Sequence, residues 1–322
     1  MKFLITGGLG FIGSKIIEKL TTDGHSVICL DNKETYGIIS KDALDKLIGW
    51  RTRNWDRNKV QFVQGDILDR MACLKAFKTH PDVVIHLATF PRAKIVDEDP
   101  VVGVPKVIDT TTNLLWHSTK FRVKKFVYIS SSMIYGDFVD GTKEDSNTKP
   151  KNIYGEAKLT GERLTKLFGK RDNLDYVIVR PTNNYGTGQY VEKFIPKAIK
   201  YLTLGKRIIL HDKGLPRRTW LHVSDTVSAV IKIIESKQQN EIYNINGNYE
   251  EQNIVVAKKI LYSYGILNDE DDWIDDTEKR LGQDVRYSVN DNKLKEIGWH
   301  PEADFDKELK IIVDYYKKNF IW

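Results

Sequence analysis

The chain has 322 residues, of which 41% are hydrophobic and 29% charged, and it carries a formal net charge of +6. That balance is ordinary for a globular protein able to bury a sizeable core in one large or two modest domains. It suits an anionic ligand but is too diffuse to argue for nucleic acid, and no apolar run approaches the roughly 20 residues that span a bilayer. A strand pattern that starts at Lys2 leaves no secretory leader, so a cytoplasmic protein is expected. Cys29 and Cys73 fall inside a strand pattern and a helical pattern with no C-x-x-C, and read as small buried hydrophobes. The histidines show no metal-ligand spacing, so no metal is expected.

Lys2 to Thr6 reads as a buried strand, and Gly7, Gly10 and Gly13 follow it at G-x-x-G-x-x-G spacing before a helical pattern from Ser14 to Leu20. Such a turn exposes the first N–H groups of the helix, and without Cβ atoms a pyrophosphate can approach them. The next strand, Ser26 to Leu30, ends at Asp31, where a carboxylate can accept from a ribose 2′-hydroxyl and repel a 2′-phosphate. NAD is therefore expected rather than NADP. The charged stretch Lys33 to Asn58 holds Trp50 and Trp55, and Asp42 to Arg53 reads as a helix laid over the sheet, with no chemistry assignable. Val60 to Gln64 is a third strand, followed by Asp66, which either accepts from an adenine amino group or caps a helix starting near Asp69. Val83 to Leu87 is a fourth, ending in the small pair Ala88-Thr89 that leaves room for a flat cofactor. Asp97 to Thr119 reads as one long helix, and Lys125 to Ile129 as a fifth strand running into Ser130-Ser131-Ser132-Met133.

Alternating strands and helices imply an α/β fold, a Rossmann-type doubly wound parallel sheet, with ligands at the carboxyl ends of its strands. Gly7, Asp31, Asp66, Ala88 and Ser131 all fall at such ends. From Lys149 the texture changes. Tyr154 and Lys158 share a face of a helix that runs to about Lys170, where a lysine ammonium would lower the phenol pKa. Taken alone, Tyr-x-x-x-Lys fits an ordinary amphipathic helix equally well. After a sixth strand, Asp175 to Val179, short mixed elements suggest a smaller mixed α/β lobe. The expected division is a dinucleotide-binding domain over 1–180 and a substrate lobe over 181–322, interleaved with the end of the first.

The stretches TGGLGFIGS, GDI, IHLAT, SSSMIYG, YGEAK, RPTNNYG, RRTWLHVSD and IGWHP together resemble the extended short-chain dehydrogenase/reductases of the nucleotide-sugar epimerase and dehydratase family. The resemblance covers almost the whole chain. It implies an NAD site formed by Gly7, Gly10, Phe11, Ile12, Gly13, Asp31, Asn32, Asp66, Ile67, Leu87, Ala88 and Thr89, together with Tyr154 and Lys158. It further implies Tyr154 as base, Lys158 as its electrostatic partner, and Ser131 as the hydroxyl that orients the sugar of an NDP-sugar substrate. On the substrate side it implies Ser132, Met133, Asn184, Lys193, Phe194, Ile195, Arg218 and Arg286, with the two arginines on the diphosphate. Pairing through the helices 97–119 and 152–170 into a homodimer or higher assembly is also implied.

The pattern departs from the sugar dehydratases in one place that bears on chemistry. Those enzymes carry an acidic or Ser-Glu pair just after the orienting hydroxyl, whereas this chain has Ser132 and Met133. A thioether is neither general acid nor general base. Val107 also stands where many relatives have asparagine. The expected activity is therefore NAD-dependent oxidation at C4 of an NDP-sugar, as a 4-epimerase or 4-dehydrogenase. A 4,6-dehydratase is the alternative, and a non-catalytic NAD(H)-binding regulator on the same fold is the alternative of another class.

Overall fold

The computed structural model describes residues 1–90, 93–136, 141–278 and 286–319. Its strands begin with β1 (Lys2–Thr6), β2 (Ser26–Asp31), β3 (Val60–Gln64), β4 (Val83–His86), β5 (Lys125–Ile129) and β6 (Tyr176–Pro181). Three short strands come next, β7 (Asn183–Tyr185), β8 (Ile208–His211) and β9 (Arg217–His222), before β10 (Glu241–Ile245) and β11 (Tyr249–Gln252). Seven of these form one sheet in the order β10-β6-β5-β4-β1-β2-β3. Every neighbouring pair in it is parallel.

The inner strands β1, β4 and β5 are buried along almost their whole length because helices cover both faces, whereas the edge strand β3 is mostly exposed. On one face Ile16, Ile17 and Leu20 of α1 (Phe11–Thr22) and Val227, Val230 and Ile231 of a later helix, Val223–Glu235, bury Phe3, Ile5, Val127 and Val179. On the other, Cys73, Ala76 and Phe77 pack with Leu114, Leu115 and Phe168 against Leu4, Ile28, Phe126 and Ile178. Side chains such as Ile5 and Val84 are fully buried, and each contributes about 1.5–3 kcal/mol of transfer free energy. The two cysteines are free and buried, as their positions in the pattern suggested.

Two expectations change. The helix expected over 97–119 is three helices, α4 (Ala93–Glu98), α5 (Pro100–Gly103) and α6 (Pro105–Lys120), numbered after α2 (Lys41–Arg51) and α3 (Arg70–Phe77). Pro100 and Pro105 supply no N–H and clash with the preceding turn, so each starts a helix rather than continuing one. The helix expected in the 33–58 stretch exists as α2, but it does not lie over the sheet. Its Ala43, Leu44 and Leu47 join the core of the smaller lobe, with Tyr185, Ile199, Trp220, Val256 and Phe305. On the sheet side, Ile48 packs against the sheet cluster as well as the lobe core, and Trp55 donates from Nε1 to Ser14 O at 2.9 Å.

The remaining helices that bear on the site are α7 (Ile153–Asp172) and α8 (Phe194–Thr203). Asn152 caps α7, its Oδ1 accepting from Gly155 N at 2.8 Å. A buried ion pair, Arg180 to Glu162 at 2.7 Å, fixes α7 to β6. No helix among the described residues is long and apolar enough to cross a membrane.

Candidate active site

A cleft of about 1480 Å³ runs along the carboxyl ends of the sheet strands and is closed on its far side by the lobe. At its centre β1 gives way to α1. Gly7 has φ +68°, its N–H donates to Leu30 O, and its missing Cβ would lie 3.0 Å from the Ala88 backbone. A Cβ on Gly13 would sit 2.3 Å from Gly7 O. Gly10 starts the helix with no side-chain cap, so the first-turn N–H groups face the cleft without a competing side chain. Gly7, Gly10, Phe11, Ile12 and Gly13 all line it.

The end of β4 is held against this turn by a chain of hydrogen bonds that runs in one direction. Ala88 N donates to Thr6 Oγ1 at 3.2 Å, and Thr6 meets His86 Nδ1 at 2.9 Å. His86 Nε2 meets Thr111 Oγ1 at 3.1 Å, and Thr111 donates to Val107 O at 2.6 Å. Burial pushes the His86 imidazole well below its usual range, keeping it neutral and able to donate from one nitrogen while accepting on the other. Val107 is buried and takes part through its carbonyl.

Asp31 stands at one end of the cleft. Its Oδ2 accepts from Leu9 N at 3.1 Å and its Oδ1 from Lys33 N at 2.8 Å. Burial raises its carboxyl, and these two N–H groups together with Arg51 and Lys33 oppose that. Asn32 donates to Asp66 Oδ2 at 3.0 Å, and both line the cleft with Ile67. The helix cap left open for Asp66 belongs to Asp69, whose Oδ1 accepts from Met71 N. Leu87, Ala88 and Thr89 line the opposite side. The Oγ atoms of Thr89, Ser130 and Thr182 are buried at the cleft with no hydrogen-bond partner among the described residues. A glycine cradle that any Cβ would fill, an acidic ribose acceptor and unsatisfied hydroxyls at the other end fit a bound dinucleotide.

Tyr154 lies in the first turn of α7 and faces the cleft with Ser131 and Met133. Asp97 of α4 holds this helix start, accepting from Ile153 N at 2.8 Å and from Tyr154 N at 3.3 Å. Lys158 lies one turn later, 3% exposed, donating from Nζ to Ile129 O at 2.7 Å. Its Nζ lies 4.7 Å from the Tyr128 ring centroid. Burial pushes the Lys158 ammonium down to about 7, with Glu162 opposing. The lowered phenol pKa expected from this pair is not found: burial pushes Tyr154 up to about 12. Removal of water from around the phenol is the cause, while Lys158 Nζ is turned to the Ile129 carbonyl.

Ser131 Oγ accepts from Met133 N at 3.2 Å, shaping the turn that brings the Met133 thioether to the cleft wall. Ser132 does not join it. It is 3% exposed and lies outside the cleft, at the start of the 3₁₀ turn Ser132–Tyr135. Lys193, Phe194, Asn184 and Arg218 line the lobe side. The Asn184 amide is engaged, Nδ2 donating to Thr182 O and Oδ1 accepting from Thr226 Oγ1. Ile195 is 1% exposed inside the lobe core, because α8 turns its second residue inward. Arg286 is not at the cleft wall either: its Nη2 donates to Glu250 Oε2 at 3.1 Å, and Glu250 also holds Arg217.

Several wall residues lie outside the motifs of the sequence. Lys197 and Lys200 continue Lys193 along one face of α8, a spacing that the sequence itself displays. Tyr36, Ile38, Leu44 and Ile48 come from the 33–58 stretch, to which no motif attaches chemistry. Lys94, Lys106 and Glu192 also line the cleft, and no local pattern announces them. Among the described residues no group of three or more His, Cys, Asp or Glu is arranged to hold a metal.

A doubly wound sheet with a phosphate-binding turn at β1 and a Tyr, Lys and Ser at the neighbouring strand ends defines a dinucleotide-dependent enzyme class. Residues 3–246 match the model of the NAD dependent epimerase/dehydratase family, and the chain belongs to that family. It is 32% identical to dTDP-glucose 4,6-dehydratase of Streptomyces niveus, over 100% of this chain and 94% of that one. It is 30% identical to the mouse dTDP-D-glucose 4,6-dehydratase, over 99% of this chain and 89% of that one. Among solved structures it superposes on the dTDP-glucose 4,6-dehydratase DesIV of Streptomyces venezuelae, determined with NAD bound. The TM-score is 0.90 at 27% identity, covering 99% of this chain and 98% of that one. It also matches the Thermotoga maritima UDP-glucose 4-epimerase with UDP-glucose, with a TM-score of 0.87 at 27% identity over 99% of each chain.

Proposed function

We propose that the protein oxidises the C4 carbinol of a nucleotide-activated sugar, with NAD held on the β1–α1 turn. The observation that carries this reading is that Tyr154, Lys158 and Ser131 all line the one cleft that also holds the glycine cradle. Bound there, NAD supplies a hydride acceptor. Tyr154 takes the hydroxyl proton, Ser131 orients the same hydroxyl, and Lys193, Lys197 and Arg218 face the diphosphate. A phenol at about 12 is ionised in only about one part in 10⁵ at pH 7. Lys158, whose ammonium burial pushes down to about 7, is the group that can either favour the phenolate as a cation or take up the proton as an amine.

Three fates are open to the 4-keto sugar once C4 is oxidised. The relatives support 4,6-dehydration better than they support epimerisation or net dehydrogenation. Elimination needs an acid and a base besides Tyr154, and with Met133 at the wall and Ser132 buried they must come from elsewhere in the cleft. Glu192 is a carboxylate on that wall, whereas one oxygen of Asp97 is already spent on the start of α7. The same Met133 favours epimerisation as the second reading, because that reaction asks nothing of this position. Incubation with a panel of UDP-, dTDP-, GDP- and CDP-sugars, with products read by mass and NMR, tests both. Loss of water marks dehydration, unchanged mass with inverted C4 marks epimerisation, and loss of two hydrogens marks dehydrogenation. A panel left wholly unconverted would remove the proposal.

A further inference from the structure

The sheet order sets β1 between β2 and β4, so the chain leaving β2 and the chain leaving β4 rise on opposite sides of the glycine turn. Tyr36 lies on the first of these segments and Phe90 on the second. Their rings meet edge to face, with centroids 5.1 Å apart and planes at 87°. Both line the cleft. A contact between segments that flank β1 crosses above the turn where the middle of a dinucleotide lies. We propose that Tyr36 and Phe90 form a strap over that middle, retaining NAD in the site from one turnover to the next.

The segment is built to present the ring. Tyr36 and Gly37 occupy the centre of a turn closed by Ile38 N donating to Thr35 O at 3.0 Å, with φ values of +54° and +66°. A non-glycine residue there is uncommon, and aromatic residues gain nothing locally from it. Glu34 fixes the turn through Oε1, which accepts from Tyr36 N at 3.1 Å. Burial, reinforced by Asp31, raises the Tyr36 phenol, so the ring stays neutral. On the other side Phe90 is 5% exposed, and Lys106 Nζ lies 5.0 Å from its ring centroid. Nothing in the sheet core depends on this pair, whose rings lie outside the two clusters that cover the sheet faces.

The inference rests on the C4-oxidation reading and sharpens it. A reaction that returns its hydride within the same site keeps its dinucleotide, as dehydration and epimerisation do, whereas net dehydrogenation must exchange it at every turnover. A strap therefore sides with the first two.

The test needs no sugar. Protein loaded with NADH is mixed with excess NAD, and release is tracked by the loss of bound NADH fluorescence. Tyr36→Ala and Phe90→Ala should each speed release by about two- to tenfold, the range an edge-to-face pair supports. The double variant should be no faster than the quicker single, because both remove one contact. Tyr36→Phe, which keeps the ring, should release at the unmodified rate. Phe90→Leu, apolar but without a ring edge, carries the same expectation as alanine should that variant fail to fold. Release unchanged in the ring-less variants, or effects that multiply in the double, would overturn the strap and leave the C4 reading intact. Failure of the unmodified protein to bind NADH at all would overturn both.

Discussion

The two halves of the cleft are made in different ways. The dinucleotide half is built from backbone: strand ends, a glycine turn and N–H groups fixed by the sheet, with Asp31 itself held by two of those N–H groups. The proposed sugar half is built from side chains: Tyr154 and Lys193 at helix starts, Met133 on a turn and Arg218 on β9. A site made of backbone tolerates no added atom, whereas one made of side chains can change its chemistry by substitution while the fold stays put. This explains how one architecture serves both a 4,6-dehydratase and a 4-epimerase among its structural neighbours.

The largest effect should fall in the side-chain half. Tyr154→Phe keeps the ring and removes the acid–base group, so NAD and NDP-sugar should still bind while hydride transfer falls by about a hundredfold or more. Single-turnover absorbance of NADH reads this directly, and near-normal transfer would discard the mechanism. In the backbone half the damage should be to binding instead. Gly13→Ala drives a Cβ to 2.3 Å from Gly7 O and 2.9 Å from Gly8 Cα. Overpacking of this kind costs about 1–3 kcal/mol, and if it falls on the bound state that is roughly fivefold to 150-fold in NAD affinity. Gly49→Ala, with nothing within 4 Å of the new Cβ and a helical position in α2, is the control and should leave affinity unchanged.

How far the sequence foretold each half obeys the same division. Lys2–Thr6 and Lys125–Ile129 are legible to the residue, because strands buried on both faces are near-continuous apolar runs, while the exposed edge strand Val60–Gln64 is legible only from its β-forming Val and Phe residues. The glycine spacing and Asp31 are legible for a related reason, since they are local in the chain. Pro100 and Pro105 do warn against a single helix over 97–119, but the apolar pattern runs through them. The placement of α2 in the lobe depends on packing against residues more than a hundred positions away, and no local pattern records that. Ser132, Ile195 and Arg286 come in with the family pattern alone. The structure separates each from the cleft by a turn, an inward-facing helix position and a carboxylate partner, respectively.

A smaller effect should appear at the far end of the dinucleotide half. Asp31→Ala removes the ribose acceptor and the charge that repels a 2′-phosphate, so the preference for NAD over NADP should narrow by about tenfold or more. Equilibrium titration of both dinucleotides measures it. Equal affinities in the unmodified protein would show that Asp31 serves only the Leu9 and Lys33 N–H groups.

The last effect is one of stability, and it runs opposite to activity. Lys158 is buried and pushed down from its ordinary value near 10.5 to about 7, so the folded chain gives up its proton more readily than the unfolded chain does. Its burial penalty is fully present below about pH 7 and fades as pH rises from there toward the unfolded value. Lys158→Met fills similar volume without a charge, and should raise stability by on the order of 1–4 kcal/mol at pH 6. The gain should shrink steadily between pH 7 and about 10 as the unmodified protein sheds its penalty. The same variant should lose most of its hydride transfer, because Tyr154 then lacks the amine one helical turn away that exchanges its proton. Denaturant midpoints across that pH range, paired with single-turnover rates, provide the measurement. A lysine merely structural in role would give a destabilised variant with the loss constant in pH. The predicted pattern, more stable when acidic and inactive throughout, would mark Lys158 as a group kept for chemistry at the expense of the fold.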